Sequence, residues 1–253
     1  MSHALYEQFI NHVGSIVAAQ NLTGFKSHPS VTYMLEHVTF SLGQEYLSYL
    51  RQLTPLSEQK MMAYCEANDR IGGGEKHDYG FIRTSPSNFR YLLHAHLILT
   101  HAIRNGLSSL RIVEVGCGYG GLCLAITQLA PMYRITIETY HLVDLPEISA
   151  LQKLYLSEHA VHSLPVRFHS AETYGENIQD RDLFLVSNYC FSEIDAAHQK
   201  KYIQHLFPKV SHGFMTWNHI PLYDFGFSVR SEREFPMTGG SQDPQTMNRY
   251  VYF

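Results

Sequence analysis

The sequence has few cysteines and no apolar stretch long enough to cross a membrane. Its four cysteines show no C-x-x-C spacing and are too few for a disulfide scaffold in a chain of 253 residues. They are therefore predicted to be free thiols in a reducing compartment, with the cytoplasm as the default location. The first residues carry no basic cluster ahead of an apolar run, so neither a signal peptide nor a membrane helix is predicted.

An excess of basic charge is also missing. The formal net charge is -4 and charged residues make up 17% of the chain. Such a chain has no general attraction to phosphate backbones or anionic lipids. Nucleic acid is therefore disfavoured as a partner and no membrane partner is expected, which is compatible with a small-molecule substrate.

Histidine is abundant, but its spacing does not indicate a metal site. Three of the 16 histidines, in HAHLILTHAIR, lack the i, i+4 spacing that places two imidazoles on one helical face, and H-E-x-x-H does not occur. No metal ligands are predicted. Dependence on Mg²⁺ stays open, because several acids supply oxygens without the spacing of a magnesium site: Asp144, Asp180, Asp182, Glu193 and Asp195.

Residues 1–70 are predicted to form an N-terminal helical appendage. Apolar residues recur at helical spacing behind Ser2, which can cap the first helix. A second helix is predicted from about Val31 to Leu53, and Thr54-Pro55 is predicted to end it and start a third. An exposed amphipathic helix here can pair two copies or pack on its own core, so a homodimer stays open.

Residues 71–84 are predicted to be a glycine-rich connecting loop or lid, and residues 85–253 the catalytic domain. IGGGEKHDYGF has too many glycines and too little periodicity for a regular element. The helix that follows has Ser85 as its cap and Pro86 in its first turn, and it ends at Asn105-Gly106.

From residue 110 onward, strand and helix signals alternate, which predicts a mostly parallel sheet with helices on both faces. The C-terminal segments FGFSVRSEREF and NRYVYF are strand-like with no helix between them, which favours an antiparallel hairpin at the sheet edge. Strands are predicted at Arg111–Val115, Ile135–Val143, Val166–His169, Leu183–Ser187 and Phe214–Trp217, and helices after Gly120, Leu145 and Ser192.

A glycine loop follows the first of these strands, so that strand and loop together read RIVEVGCGYGG. Its glycines fit both the G-x-G-x-x-G pattern of dinucleotide sites and the G-x-G-x-G pattern of S-adenosylmethionine enzymes. Glu114 favours the second, because an acid there can meet the amino group of methionine. Asp144, a little over 20 residues further on, suits the ribose hydroxyls of either cofactor.

The loop, as VEVGCGYGGL, combines with three further motifs: SPSNFRY, HLVDLPEI followed by LQKLYL, and LVSNYCFSEI. Through them the chain resembles the sugar O-methyltransferases among the class I S-adenosylmethionine-dependent methyltransferases, over about residues 85–218. The resemblance implies a Rossmann-like seven-stranded methyltransferase sheet whose order reverses beside its first strand. It also implies S-adenosyl-L-methionine as cofactor, S-adenosyl-L-homocysteine as product, and methyl transfer to a hydroxyl of a sugar or sugar nucleotide.

The resemblance and the predicted strand ends assign site residues. The cofactor-binding set is Glu114, Gly116, Gly118, Gly120, Asp144, Leu145, Ser170, Glu172 and Asn188. The substrate-binding set is Arg90, Tyr91 and Tyr189, with a surface salt bridge as the competing interpretation of Arg90.

A sugar hydroxyl is a weak nucleophile, so a base should help remove its proton. Glu193 is the first candidate, because ligands lie beyond the carboxyl ends of strands in such sheets. The competing interpretation is that Ser192 and Asp195 form a capping box and Glu193 only favours the helix dipole. Two further candidates are His219, otherwise a polar surface residue, and Asp69, otherwise a solvated turn carboxylate.

Three other functions stay open at this point. Asn188–Phe191 has the polar first and aromatic fourth residue of an N-P-P-Y loop, which allows an amino-group methyltransferase. Gly116, Gly118 and Gly121 allow an NAD-dependent oxidoreductase, which Glu114 opposes. The chain can also be a non-catalytic cofactor-binding subunit whose appendage docks a partner enzyme.

Overall fold

The computed structural model describes residues 3–53, 56–159 and 166–253. The described residues belong to two compact units that alternate along the chain. The first unit draws on Met1–Leu97, Gly118–Leu129 and Ala150–Ser163, and the second on Ile98–Cys117, Ala130–Ser149 and Leu164–Phe253. The division of the chain near residues 70 and 85 stays a prediction.

The first unit is mainly helical, and helices occur within residues 3–69 as predicted, whereas a separate N-terminal appendage stays a prediction. The caps assigned to Ser2 and to Thr54-Pro55 lie outside the described residues. Ser57 caps the fourth helix by accepting the Lys60 N–H. The helices are α1 (His3–Ala19), α2 (Pro29–Met34), α3 (Phe40–Leu53), α4 (Glu58–Asp69), α5 (Ser87–Arg104), which continues into the second unit, and α6 (Gly121–Leu129).

The single helix predicted from Val31 to Leu53 is wrong, because residues 35–39 are not helical. The carbonyl of Leu35 accepts a hydrogen bond from Arg90 at 3.0 Å, and the carboxylate of Glu36 accepts two from side chains elsewhere in the unit. Thr39 Oγ1 then accepts the Leu42 N–H at 3.3 Å and starts α3. Tertiary hydrogen bonds thus replace helical ones at this break.

The segment 71–84 contains a regular element that its sequence did not predict. Strands β1 (His77–Asp78) and β2 (Arg83–Thr84) form a short antiparallel pair. The turn between them is set by Asp78, whose carboxylate accepts the Gly80 N–H at 2.8 Å. Such local side-chain bonds are how aspartate favours turns.

The second unit contains a seven-stranded sheet, and the predicted Rossmann-like fold class is confirmed. Its order is β5-β4-β3-β6-β7-β9-β8. The first five strands of that order are parallel, whereas β9 is antiparallel to both of its neighbours. The strands are β3 (Ser109–Val115), β4 (Thr136–Asp144), β5 (Val166–Ser170), β6 (Leu183–Asn188), β7 (Val210–Trp217), β8 (Arg230–Arg233) and β9 (Arg249–Tyr252).

An aromatic cluster supports the carboxyl ends of β6 and β7. Trp217, the only tryptophan, stacks on Phe225 with ring centroids 5.6 Å apart, and Phe191 packs against both rings. All three side chains are buried. Large buried rings contribute much apolar area. The turns that follow these strands are therefore packed against a buried aromatic cluster.

The strand order reverses beside β3. The chain runs from β3 to β4 and β5 on one side, then returns to β6 and β7 on the other. In open parallel sheets, ligands bind beyond the carboxyl ends of the strands at such a reversal. Two helices follow strands at this edge, α7 (Pro146–Ser157) after β4 and α8 (Ala196–His205) after β6.

All four cysteines are free, as predicted. Within the part of the chain that the structure describes, no helix combines the length and apolar character needed to cross a membrane.

Candidate functional site

Glu114 lies near the carboxyl end of β3 with 2% of its surface exposed. Its Oε2 accepts a hydrogen bond from the Tyr140 hydroxyl at 2.7 Å. Burial raises the pKa of Glu114 to about 8, and the charge of Asp144 adds to the rise despite the hydrogen bond from Tyr140. The carboxyl therefore holds a proton near neutral pH, and a cation beside it would favour release of that proton.

We expect Glu114→Gln to raise the melting temperature above that of the unaltered protein at pH 9 and to change it little at pH 5. The native pKa of about 8 lies above the ordinary value near 4.5, so the native state binds more protons than the unfolded state between these values. The unaltered protein thus loses stability as pH rises through this window, while glutamine does not titrate.

Thermal unfolding at pH 5, 7 and 9 measures this effect. In a chain of this size each kcal/mol of unfolding free energy shifts the melting temperature by roughly 2–4 °C. We therefore expect Glu114→Gln to melt about 4 °C or more above the unaltered protein at pH 9. Glu138→Gln, which removes an exposed carboxylate from β4, is the matched control. Parallel pH curves for Glu114→Gln and the unaltered protein would contradict the assignment.

Asp144 ends β4 and binds the start of the glycine loop. Its Oδ2 accepts the Cys117 N–H at 2.7 Å, and its Oδ1 accepts the Leu145 N–H at 2.9 Å. Each carboxylate oxygen has a further lone pair. Asp144 can therefore fix the loop and still accept hydrogen bonds from ligand hydroxyls.

Gly116 opens the loop with φ 75° and has no room for a side chain. A Cβ there would lie 2.2 Å from the sulfur of Cys190, which follows β6. Glycine is thus required by both the backbone conformation and the packing. The space that a side chain would need is filled by Cys190, so the turn after β3 packs closely against the segment after β6.

Within the first unit, side chains fix the second half of the loop. Gln152 donates to the carbonyl of Gly118 at 2.8 Å, and the Tyr64 hydroxyl donates to the carbonyl of Gly121 at 3.1 Å. A Cβ on Gly120, where φ is 100°, would lie 3.3 Å from Leu156. The loop backbone is therefore held through its carbonyl groups.

Ser170 and Glu172 follow β5 at the same edge of the sheet. Ser170 lies beside Asp144 in the β4–β5 register. Its hydroxyl accepts the Glu172 N–H at 3.2 Å and forms a local turn. The structure thus pairs Ser170, one of the predicted cofactor-binding residues, with Asp144, the predicted ribose acid.

Asn188 ends β6 with one amide atom left for a ligand. Its Oδ1 accepts the Thr216 hydroxyl at 2.7 Å, while its buried Nδ2 has no hydrogen-bond partner among the residues that the structure describes. Reversing the amide would only exchange the two atoms. An unmade bond of a buried polar group is costly, which favours a ligand partner at this position.

The capping-box interpretation of Glu193 is wrong. Helix α8 begins at Ala196 and is capped by Asp195, whose Oδ1 accepts the His198 N–H at 3.0 Å. Ser192 instead donates to Asn218 Oδ1 at 2.6 Å. Glu193 therefore lies in the turn before the helix.

The structure brings two predicted catalytic candidates together. Glu193 Oε1 accepts a hydrogen bond from Asn218 Nδ2 at 2.7 Å and lies 3.6 Å from His219 Nε2. His219 has φ 64°, a left-handed conformation that is costly outside glycine and concentrates at functional sites. An oriented carboxylate with 26% of its side chain exposed can accept a proton from a substrate. Asn218 was missed, although it directly follows β7.

Tyr189 has a buried partner that sequence reasoning also missed. Its hydroxyl donates to Glu234, a fully buried carboxylate that also accepts the side-chain amide of Asn248 at 2.7 Å. Tyr189 itself has φ 52°. The phenol at the end of β6 is thus fixed by a residue 45 positions away.

Asp69, in the first unit, is not the solvated turn carboxylate that was its competing interpretation. Only 8% of it is exposed, and it accepts hydrogen bonds from Thr84 Oγ1 at 2.6 Å, Ser85 N at 3.2 Å and Asn88 Nδ2 at 2.8 Å. These bonds join the end of α4 to the start of α5. Its catalytic role stays a prediction.

Arg90 and Tyr91 lie early in α5, in the same unit. Arg90 is 5% exposed, so a surface salt bridge is wrong for it. Its guanidinium bonds to the carbonyl of Leu35 and to Nε2 of His37, both at 3.0 Å. The ring of Tyr91 would lie 2.9 Å from a Cβ on Gly121, so it packs directly against the glycine loop.

Residues 3–53, 56–159 and 166–253 contain no group of three or more His, Cys, Asp or Glu side chains that could hold a metal ion.

No protein-family model matches the chain, and no curated protein matches its sequence. Among solved structures, magnesium protoporphyrin IX methyltransferase from Synechocystis PCC 6803 is 13% identical, with 79% of this chain and 98% of that chain covered and a TM-score of 0.48. The methyltransferase domain of bacterial CtHen1 is 12% identical (64% and 98% covered, TM-score 0.44).

The precorrin-8w decarboxylase of Methanobacterium thermoautotrophicum is 20% identical (63% and 88% covered, TM-score 0.42). Likenesses at these values do not specify an activity, so the functional argument depends on the chain's own residues.

Proposed function

We propose that this chain is an S-adenosylmethionine-dependent O-methyltransferase that methylates a hydroxyl of a sugar or sugar nucleotide. The observation that carries the proposal is the arrangement at the order reversal. The ends of β3, β4 and β6 present Glu114, Asp144 and Asn188, with Gly116 free of any side chain. Two acids and an amide suit a ligand with a cationic amino group and several hydroxyls.

The residues present fit the cofactor. When bound, S-adenosylmethionine supplies a methyl group that its sulfonium already activates. Glu114 would face the amino group, Asp144 the ribose hydroxyls, and Leu145, Ser170 and Glu172 the adenine side. Gly118 and Gly120 follow Gly116 in the sequence, and as glycines they would contact the cofactor through backbone atoms only.

Two observations favour this cofactor over NAD. Glu114 is an acid at a position where dinucleotide sites usually carry a small or apolar residue. The sheet also departs from the six-stranded parallel order of dinucleotide domains, because the antiparallel β9 lies between β7 and β8.

Proton removal is assigned to Glu193. Asn218 orients the carboxylate through a 2.7 Å hydrogen bond, and His219 Nε2 lies 3.6 Å from the same carboxylate oxygen. The carboxylate can thus draw the proton from an acceptor hydroxyl while the remaining site residues align it. Arg90, Tyr91 and Tyr189 are the proposed substrate-binding residues.

A polyhydroxylated acceptor suits the polar groups after β6 and β7. They are the Asn188 amide, the Tyr189 phenol, the Asn218 amide and the Glu193 carboxylate. Phenol and amide groups can both donate to and accept from hydroxyls, and the carboxylate accepts from them. A cytoplasmic setting belongs to the same proposal, since free thiols fit a reducing compartment.

Methyl transfer from labelled S-adenosylmethionine to a panel of sugars, sugar nucleotides and amino sugars tests the proposal. Parallel reactions with Mg²⁺ and with a chelator decide metal dependence. We expect label on an oxygen of at least one sugar, located by mass spectrometry and NMR. Label only on nitrogen would replace the proposal with an amino-group methyltransferase, and binding without transfer to any acceptor would favour a cofactor-binding subunit.

A further inference from the structure

A short segment between α2 and α3 contacts the glycine loop within the first unit. This segment, residues 35–37, is held by Arg90, which donates to the carbonyl of Leu35, and by Ser85, whose hydroxyl donates to Glu36 Oε2 at 2.8 Å. The third contact comes from the loop itself, because the Tyr119 hydroxyl donates to Glu36 Oε1 at 2.7 Å. Glu36 therefore joins the 35–37 segment to Ser85, just before α5, and to the loop.

Tyr119 is rigidly enclosed. Its ring is fully buried against Phe25 at 5.5 Å and Tyr155 at 4.9 Å between centroids, and the ammonium of Lys26 lies 4.6 Å from the ring centroid. Its hydroxyl also accepts the side-chain amide of Asn68 at 3.2 Å. A ring held on all sides transmits the position of its hydroxyl to the backbone that carries it.

The bond between Tyr119 and Glu36 is charge-assisted, since a phenol donates to a carboxylate. Burial raises the pKa of the Tyr119 phenol, and the negative charge of Glu36 raises it further, so the hydroxyl keeps its proton and remains the donor. Charge-assisted hydrogen bonds are shorter and stronger than neutral ones.

The backbone on either side of Tyr119 needs such support. Gly118 has φ 53° and Gly120 has φ 100°, conformations that glycine can enter and leave freely. A Cβ on Gly118 would lie 3.2 Å from the side chain of Leu35, so the same 35–37 segment also packs on the loop directly.

We propose that Glu36 is a positioning residue for the cofactor loop. Through Tyr119 it holds Gly118–Gly120 in the backbone conformation that receives S-adenosylmethionine. The inference rests on the proposed function, because Glu36 would order the loop at which that function's cofactor is proposed to bind. Binding to a loop that is already ordered avoids the entropy cost of ordering it.

A double-mutant cycle on S-adenosylhomocysteine affinity tests this inference by calorimetry. Tyr119→Phe and Glu36→Ala are each expected to weaken binding about tenfold or more, the scale of a lost charge-assisted hydrogen bond. The double variant should be no weaker than the poorer single variant, because both changes remove one interaction. Glu36→Gln retains an acceptor oxygen for the phenol and is expected to restore part of the affinity.

Tyr155→Phe is the matched control. It removes another buried tyrosine hydroxyl of the same network, one that donates to Asn68 and not to Glu36. We expect it to lower the melting temperature and leave S-adenosylhomocysteine affinity unchanged. If Glu36→Ala does not fold, an affinity loss in Tyr119→Phe that Tyr155→Phe does not share supports the inference.

Two results would overturn it while leaving the proposed function intact. The variants could bind as tightly as the unaltered protein and lose only thermal stability, which would make Glu36 structural. Alternatively, the losses of Tyr119→Phe and Glu36→Ala could add in the double variant, which would mean that the two residues act separately. Failure of the unaltered protein to bind S-adenosylhomocysteine would overturn the proposed function itself.

Discussion

Gly118→Arg is expected to fold and to lose S-adenosylhomocysteine binding by about 100-fold or more. A Cβ at this position already lies 3.2 Å from Leu35. A long charged side chain must therefore displace Leu35 or extend along the loop where we propose that the cofactor binds. The left-handed φ of 53° adds a cost of roughly 1–3 kcal/mol, which lowers stability without preventing folding. Calorimetric titration measures the affinity, and circular dichroism melting verifies the fold.

Gly106→Arg is the control for strain and added charge. Gly106 also has a positive φ, 74°, but no atom lies within 4 Å of where its Cβ would be. This variant should carry the same backbone cost and bind S-adenosylhomocysteine normally. If folded Gly118→Arg also binds normally, the glycine loop is not the cofactor site.

Glu193→Gln is expected to slow methyl transfer by roughly 10²-fold or more, the scale for loss of a general base. Glutamine keeps the size of the side chain and can still pair with Asn218, but it cannot take a proton. Because Glu193 is assigned to the acceptor, S-adenosylhomocysteine affinity should stay unchanged. Turnover with the best sugar acceptor from the panel, measured beside calorimetric titration, separates the two effects.

Glu147→Gln is the matched control for this variant. Glu147 is an exposed acid in the first turn of α7 and is assigned no role in the site. The Glu147→Gln variant should transfer methyl groups at the normal rate. The turnover of Asn218→Ala should lie between those of Glu193→Gln and Glu147→Gln, because this variant keeps the Glu193 carboxylate but removes the donor that orients it. Normal turnover in Glu193→Gln would remove Glu193 from the mechanism.

The sheet was predictable because its signals are local. Buried parallel strands are continuous apolar runs, as in β6, and the turn after β3 carries glycines that its geometry requires. Glu114 and Asp144 followed from their positions at strand ends. Each of these predictions depends on residues that are close together in the sequence.

The parts that sequence reasoning missed depend on distant partners. The helix break at residues 35–39 follows from hydrogen bonds to Arg90 and to Tyr119, which is 83 positions from Glu36. Ser192 resembled a helix cap, yet Asn218 competes for its hydroxyl. Local propensity is overridden in both places by tertiary hydrogen bonds that no spacing rule contains.

Calorimetric titration of the purified protein with S-adenosylhomocysteine and, separately, with NAD tests the central claim most directly. The proposal predicts saturable binding of S-adenosylhomocysteine at one site and no binding of NAD, with Mg²⁺ or without it. Binding of NAD alone would contradict the account, because the glycine loop beside Glu114 would then serve a dinucleotide and the chemistry would be hydride transfer.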